Sequence, residues 1–115
     1  MSLNSQQILE VGKKGLLGIF FQTVHNVTAI RVVGTQVVNT TSLPIFVSIQ
    51  FTSAASATIL NTQLLVGADI VSEINIGTSV AGDSYVLTWI VPPSSDYTFK
   101  NNGNAITVQN WNEIY

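Results

Sequence analysis

The stretch Ile45-Phe46-Val47-Ser48-Ile49-Gln50-Phe51 (IFVSIQF) decides the fold. Ile45, Val47, Ile49 and Phe51 recur with a period of two, so in an extended chain they share one face. Ser48 and Gln50 take the other face. This pattern is that of a half-buried strand in an antiparallel sheet. Pro44 marks its start, since proline is accommodated at the first residue of a strand.

The same grammar runs outward from this strand. Upstream, Ile19 to Thr23, Thr28 to Val33 and Gln36 to Asn39 are rich in β-branched and aromatic residues, and Asn39-Thr40-Thr41-Ser42 reads as a turn. Downstream, the small-residue loop Thr52 to Ala57 leads to Thr58–Val66 and Ile70–Ile76. Gly67-Ala68-Asp69 between them reads as a hairpin turn. Gly77 to Ser84 is a second loop. Tyr85 to Val91 (YVLTWIV) is apolar on both faces, which predicts a central or interface strand, and Pro92-Pro93 stops it. After the turn Ser94-Ser95-Asp96 come Tyr97 to Phe99, the turn Asn101 to Asn104, and a last strand from Ala105 to Tyr115. Only Ser5 to Lys14 has helical character, with Ser5 as cap and Gly12 as stop. Many short strands separated by turns predict an all-β, antiparallel β-sandwich of jelly-roll-like form. Residues 1–28 are expected to hold a connector, or short helix, and the first strand, and residues 29–115 the sandwich.

Composition narrows the function. Of 115 residues, 9% are charged and 46% hydrophobic, with four Lys/Arg against six Asp/Glu. Soluble domains usually carry about 25% charged residues. Such a surface suits a chain that associates with copies of itself and binds neutral partners. The net charge of −2 leaves no basic patch for nucleic acid. No apolar run, Leu16 to Phe21 included, approaches the roughly 18 residues of a membrane-spanning helix. The absence of cysteine excludes disulfides, thiolate nucleophiles and thiolate zinc sites.

Nothing in the chain reads as catalytic. His25 stands alone, and no serine lies in a nucleophile-elbow pattern. Glu10, Asp69, Glu73, Asp83, Asp96 and Glu113 are scattered rather than paired. The reading is a non-enzyme without metal or cofactor. Asn26-Val27-Thr28 and Asn39-Thr40-Thr41 match the N-glycosylation sequon, a pattern that matters only in a secreted eukaryotic protein. Aromatic rings beside amides are the ingredients of sugar recognition. Trp89, Tyr97 and Trp111 supply rings, with both tryptophans expected in the core. Asp83, Ser84, Tyr97, Asn101, Asn102 and Asn104 are the candidate ligand-binding residues, all in or beside turns, where recognition concentrates.

Three pieces of the sequence carry a resemblance. Arg31-Val32-Val33-Gly34-Thr35 with Val38-Asn39-Thr40-Thr41-Ser42-Leu43-Pro44-Ile45 is similar to the "R..GT.Y.N.TG.PI" run of tailed-phage tail-fibre tip domains. Ile90-Val91-Pro92-Pro93-Ser94-Ser95-Asp96-Tyr97 resembles their "IVPPGATY", and Trp111-Asn112-Glu113-Ile114 their closing "W.EL". The chain departs from the family at Ser42 and Ser94, where glycine is usual. The resemblance covers roughly Arg31 to Tyr115. It implies a compact β-domain of the virion, usually trimeric, that touches a host surface glycan or protein through distal loops, beside other tail proteins. It also implies no catalytic residues and no individual binding residue. The alternative from another class is a purely structural virion protein, such as a fibre joint, spike base or decoration protein.

Overall fold

A computed structural model describes residues 22–115. The expected helix over Ser5–Lys14 and most of the strand Ile19–Thr23 lie outside them. The described chain forms eight strands: β1 (Val24–Asn26), β2 (Val37–Val38), β3 (Ile45–Ser53), β4 (Leu60–Val66), β5 (Asp69–Ile76), β6 (Ser84–Val91), β7 (Asp96–Asn101) and β8 (Ile106–Ile114). They make two four-stranded sheets with the orders β1-β8-β3-β6 and β2-β7-β4-β5, all pairings antiparallel. Strand one pairs with eight, two with seven, three with six and four with five. This is one long hairpin wound into a sandwich, the jelly-roll order.

The core is what β3 promised. Along Ile45–Ser53, buried and half-buried residues alternate without a break. Val47, Ile49 and Phe51 meet Leu87 and Val91 of β6 and Trp111 of β8, and across the sandwich Leu60 and Leu64 of β4 and Tyr97 and Phe99 of β7. Phe51 and Phe99 touch across the two sheets, with ring centres 5.5 Å apart. Gly67 opens the two-residue β4–β5 turn with φ +60, a conformation that costs glycine little.

Three expectations are corrected. Thr28–Val33 is not a strand. The Asn26 side chain accepts hydrogen bonds from the Thr28 amide (3.1 Å) and hydroxyl (2.7 Å), and the amides of Ile30 and Arg31 turn back to the Val27 carbonyl. That local bonding stops β1 and bends the chain toward the second sheet. Of the two readings for β6, central or interface strand, the central one does not hold: among the described residues it is an edge strand. With no further strand on that side among the described residues, Trp89 is 47% exposed rather than buried, although its ladder partner Val47 is fully enclosed. Ser94, where the resembling family has glycine, sits at φ +63 in the turn after Pro92-Pro93, a backbone region that favours glycine.

Candidate functional site

The loops sort to the two ends of the sandwich. β3, β5 and β7 all finish at one end, where β4, β6 and β8 begin. Residues 54–59, 77–83 and 102–105 therefore gather there. Hydrogen bonds join them: Ser53 N to Asp83 O (3.0 Å), Ala54 N to Ala105 O (3.1 Å), Ala57 N to Ser79 O (2.7 Å) and Asn104 N to Ile59 O (2.9 Å). The opposite end holds the β4–β5 hairpin, the turn at Pro92–Ser95 and Thr23, whose amide and carbonyl pair with those of Tyr115 (3.0 and 3.1 Å). The chain thus enters the sandwich at the end remote from the three loops.

The loop end is neutral. Of its side chains, only that of Asp83 carries charge. Asp83, Ser84, Asn102 and Asn104 are exposed there and Asn101 is half-buried, so five of the six candidate residues come together. Part of their bonding capacity is used internally. Asn101 accepts from the Gly103 amide (3.0 Å) and donates to the Asn104 carbonyl (3.0 Å), which shapes the turn. Asn102 Nδ2 donates to Gln63 Oε1 (2.8 Å), and Gln50 Nε2 to Ser84 Oγ (3.2 Å). Gly103 is required by space: a Cβ there would stand 2.6 Å from the Asn61 nitrogen and the Ile59 carbonyl oxygen. Below the rim, Ser79 is buried, and its hydroxyl donates to the Ala55 carbonyl (2.8 Å). The loops are small, cross-linked and set on rigid strands.

Tyr97, the sixth candidate, is a correction. It lies on β7 facing inward and is fully enclosed, so its ring cannot stack on a ligand. Trp111 is likewise packed, edge-on to Phe99 with centres 5.5 Å apart, and its Nε1 donates to the Tyr97 hydroxyl (3.1 Å). Trp89 lies toward the opposite end of β6. Trp111 is thus core as expected, and none of the three rings stands beside the asparagines.

Tyr97 and Trp111 belong to a polar network that sequence reading missed. The Tyr97 hydroxyl donates to Glu113, itself buried. Arg31 grips the same carboxylate with two nitrogens, Nε to Oε2 at 3.2 Å and a terminal nitrogen to Oε1 at 2.8 Å. Burial, followed by the hydrogen bond to Glu113, pushes the Tyr97 phenol far above its ordinary range. The hydrogen bond to Glu113 raises Arg31 as well, against the opposing effect of burial. A buried carboxylate is a common mark of an active site. Here its oxygens are occupied by Arg31 and Tyr97 and the side chain is buried, so the network ties the two sheets together. Arg31 and Glu113 are 82 residues apart. The available signal was that each is the lone charge in an otherwise neutral segment.

His25 stacks on Tyr115, with ring centres 3.9 Å apart and 11° between planes. Among the described residues, no group of three or more His, Asp or Glu side chains converges as a metal site would require. Comparison with family models, curated proteins and solved structures returned no match.

Proposed function

We propose that this chain is a non-enzymatic virion protein of a bacteriophage, a receptor-binding tip that recognises a neutral group on a host cell surface, glycan or protein, through its loop end. One observation carries the reading: three loops are gathered at the end of the sandwich remote from the point where the chain enters it. That placement presents residues 54–59, 77–83 and 102–105 outward while the strands hold them rigid. The chemistry of the rim, hydroxyls and amides with Asp83 as the one charge, fits a ligand held by hydrogen bonds. The resemblance of Arg31–Tyr115 to tail-fibre tip domains supplies the biological setting. The pieces that carry it fall on the framework: Arg31 and Glu113 in the buried pair, Asn39 and Pro92 at the opposite end.

The test is attachment. Fluorescently labelled protein added to candidate bacterial hosts should bind the cell surface, and the combined replacement of Asp83, Asn102 and Asn104 by alanine should abolish binding without lowering the melting temperature. A protein that labels no host, or a triple variant that binds unchanged, defeats the reading in favour of a purely structural role in the virion.

A further inference from the structure

A β-sandwich has four sheet edges, each a row of unpaired backbone donors and acceptors that invites another strand. Three of the four are protected here. β1 and β2 are three and two residues long. β5 carries Asp69 and Glu73, and its ladder with β4 is interrupted between Leu64 and Leu65. β6 has no such device. Its eight residues, SYVLTWIV, contain no charge, no proline and no glycine, and they pair with β3 in unbroken register from Ser84 to Val91. Among the described residues no strand pairs with its other edge. Val86, Trp89 and Ile90 on it are each about half exposed (51%, 47% and 48%), and Thr88, Trp89 and Ile90 line a shallow recess with Phe46.

We infer that the free edge of β6 is the interface between two copies of this chain, which join β6 to β6 in antiparallel fashion and extend the sheet β1-β8-β3-β6 across a two-fold axis. Length selects the partner: among the described residues no other unprotected edge offers eight residues to match it. Charge selects the direction. Asp83 precedes β6 and Pro92 follows it. A parallel pair sets Asp83 beside its own copy, whereas the antiparallel pair sets each Asp83 beside the partner's uncharged end. A two-fold contact is self-complementary, so the exposed apolar side chains of each edge are covered by those of the other. The pairing predicts two copies, where the resemblance to tail-fibre tips implies three, and it is independent of whether the loops bind a receptor.

Light scattering coupled to size exclusion on the full chain tests this. The expected mass is twice 12.4 kDa. The double variant Val86→Lys, Ile90→Lys should halve it, because lysines on an edge strand repel a second copy. The variant Ile70→Lys, on the protected edge β5, should leave the mass of two copies unchanged. A monomeric or trimeric wild type, or a β6 variant that keeps the mass of two copies, overturns the inference. So does an Ile70→Lys variant that dissociates as readily. Hydrogen exchange on the wild type gives a reading that does not depend on the variants folding. Outward amides of β6 should be protected at high concentration and lose that protection on dilution. Protection independent of concentration would mean that residues 1–21 of the same chain cover the edge, and would also overturn it.

Discussion

At the scale of the residue, the most consequential side chain is Glu113. Its carboxylate is enclosed, yet it accepts from Arg31 and from Tyr97, and Tyr97 in turn accepts from Trp111. Removing one member of such a network leaves the others buried without partners. Tyr97→Phe is therefore expected to cost about 1–3 kcal/mol at neutral pH, read from denaturant unfolding. The same residue sets a pH dependence. The folded phenol titrates above the unfolded one, whose value is about 10. Its contribution is complete below about pH 10. Above that the unfolded state releases the proton first, so stability falls as pH rises. Between pH 9 and 11 the wild type should lose stability more steeply than Tyr97→Phe, and parallel slopes would refute the assignment. Thr62 makes the opposite case. Its buried hydroxyl, between Leu60 and Leu64 on β4, has no hydrogen-bond partner among the described residues. Thr62→Val exchanges that hydroxyl for a methyl of similar shape and should raise unfolding free energy by about 1 kcal/mol. A lower melting temperature would show that the hydroxyl is satisfied in solution.

At the scale of the element, the joints between strands matter most. Asn39, just after β2, is fully buried and uses its whole side chain. Oδ1 accepts from the Thr41 amide (2.9 Å) and hydroxyl (2.7 Å), and Nδ2 donates to the carbonyls of Leu43 (2.9 Å) and Val91 (3.0 Å). Its backbone pairs with Ser94 and Ser95. One residue thus ties the turn before β3 to the end of β6 and the turn before β7. Asn39→Ala should cost about 2–4 kcal/mol, since it strands buried carbonyls. Asn39→Asp should cost at least as much, because a carboxylate would face those carbonyls. Chemical denaturation of the two variants checks both, and an Asp variant as stable as the wild type would contradict the amide's role as donor. The burial of this amide also means that the Asn39 sequon serves local structure in the fold.

At the scale of the whole molecule, low charge and the sorting of loops act together. The binding proposed for the loop end rests on neutral groups, so raising the salt from 50 to 300 mM should change host attachment little. Measured at constant protein concentration, a steep loss with salt would place recognition on charges elsewhere. The antiparallel β6 pair inferred above points its two loop ends in opposite directions, because β6 begins at the loop end. One cell surface then meets one loop end per pair, so avidity adds nothing, and the β6 variant should attach to host cells about as strongly as the wild type.

The alternation in IFVSIQF determined the central strand, its buried face and with the turn residues the all-β class, because period two is a local property of an extended chain. The same locality explains the loops, where glycine, asparagine and serine satisfy backbone groups without distant partners. What the sequence could not determine were the facts that depend on neighbours. β8 shows this: by plain alternation Ile106 and Val108 oppose Trp111, yet all three face the core. A register shift between Gln50 and Phe51 of β3 leaves Gln109 of β8 without a partner, and the extra residue turns the rest of the strand over. Trp89 reads as core in the sequence and is exposed because, among the described residues, no strand lies beyond β6. Tyr97, just after a turn, reads as a ligand-binding ring and is buried because β7 lies between β2 and β4. Arg31 finds Glu113 only when the wound hairpin brings together residues 82 positions apart. Short-range backbone chemistry wrote the strands and turns into the sequence. Which strand stands at an edge, which face a bulge reverses and which charges meet were decided by packing, where long-range contacts outweigh local preference.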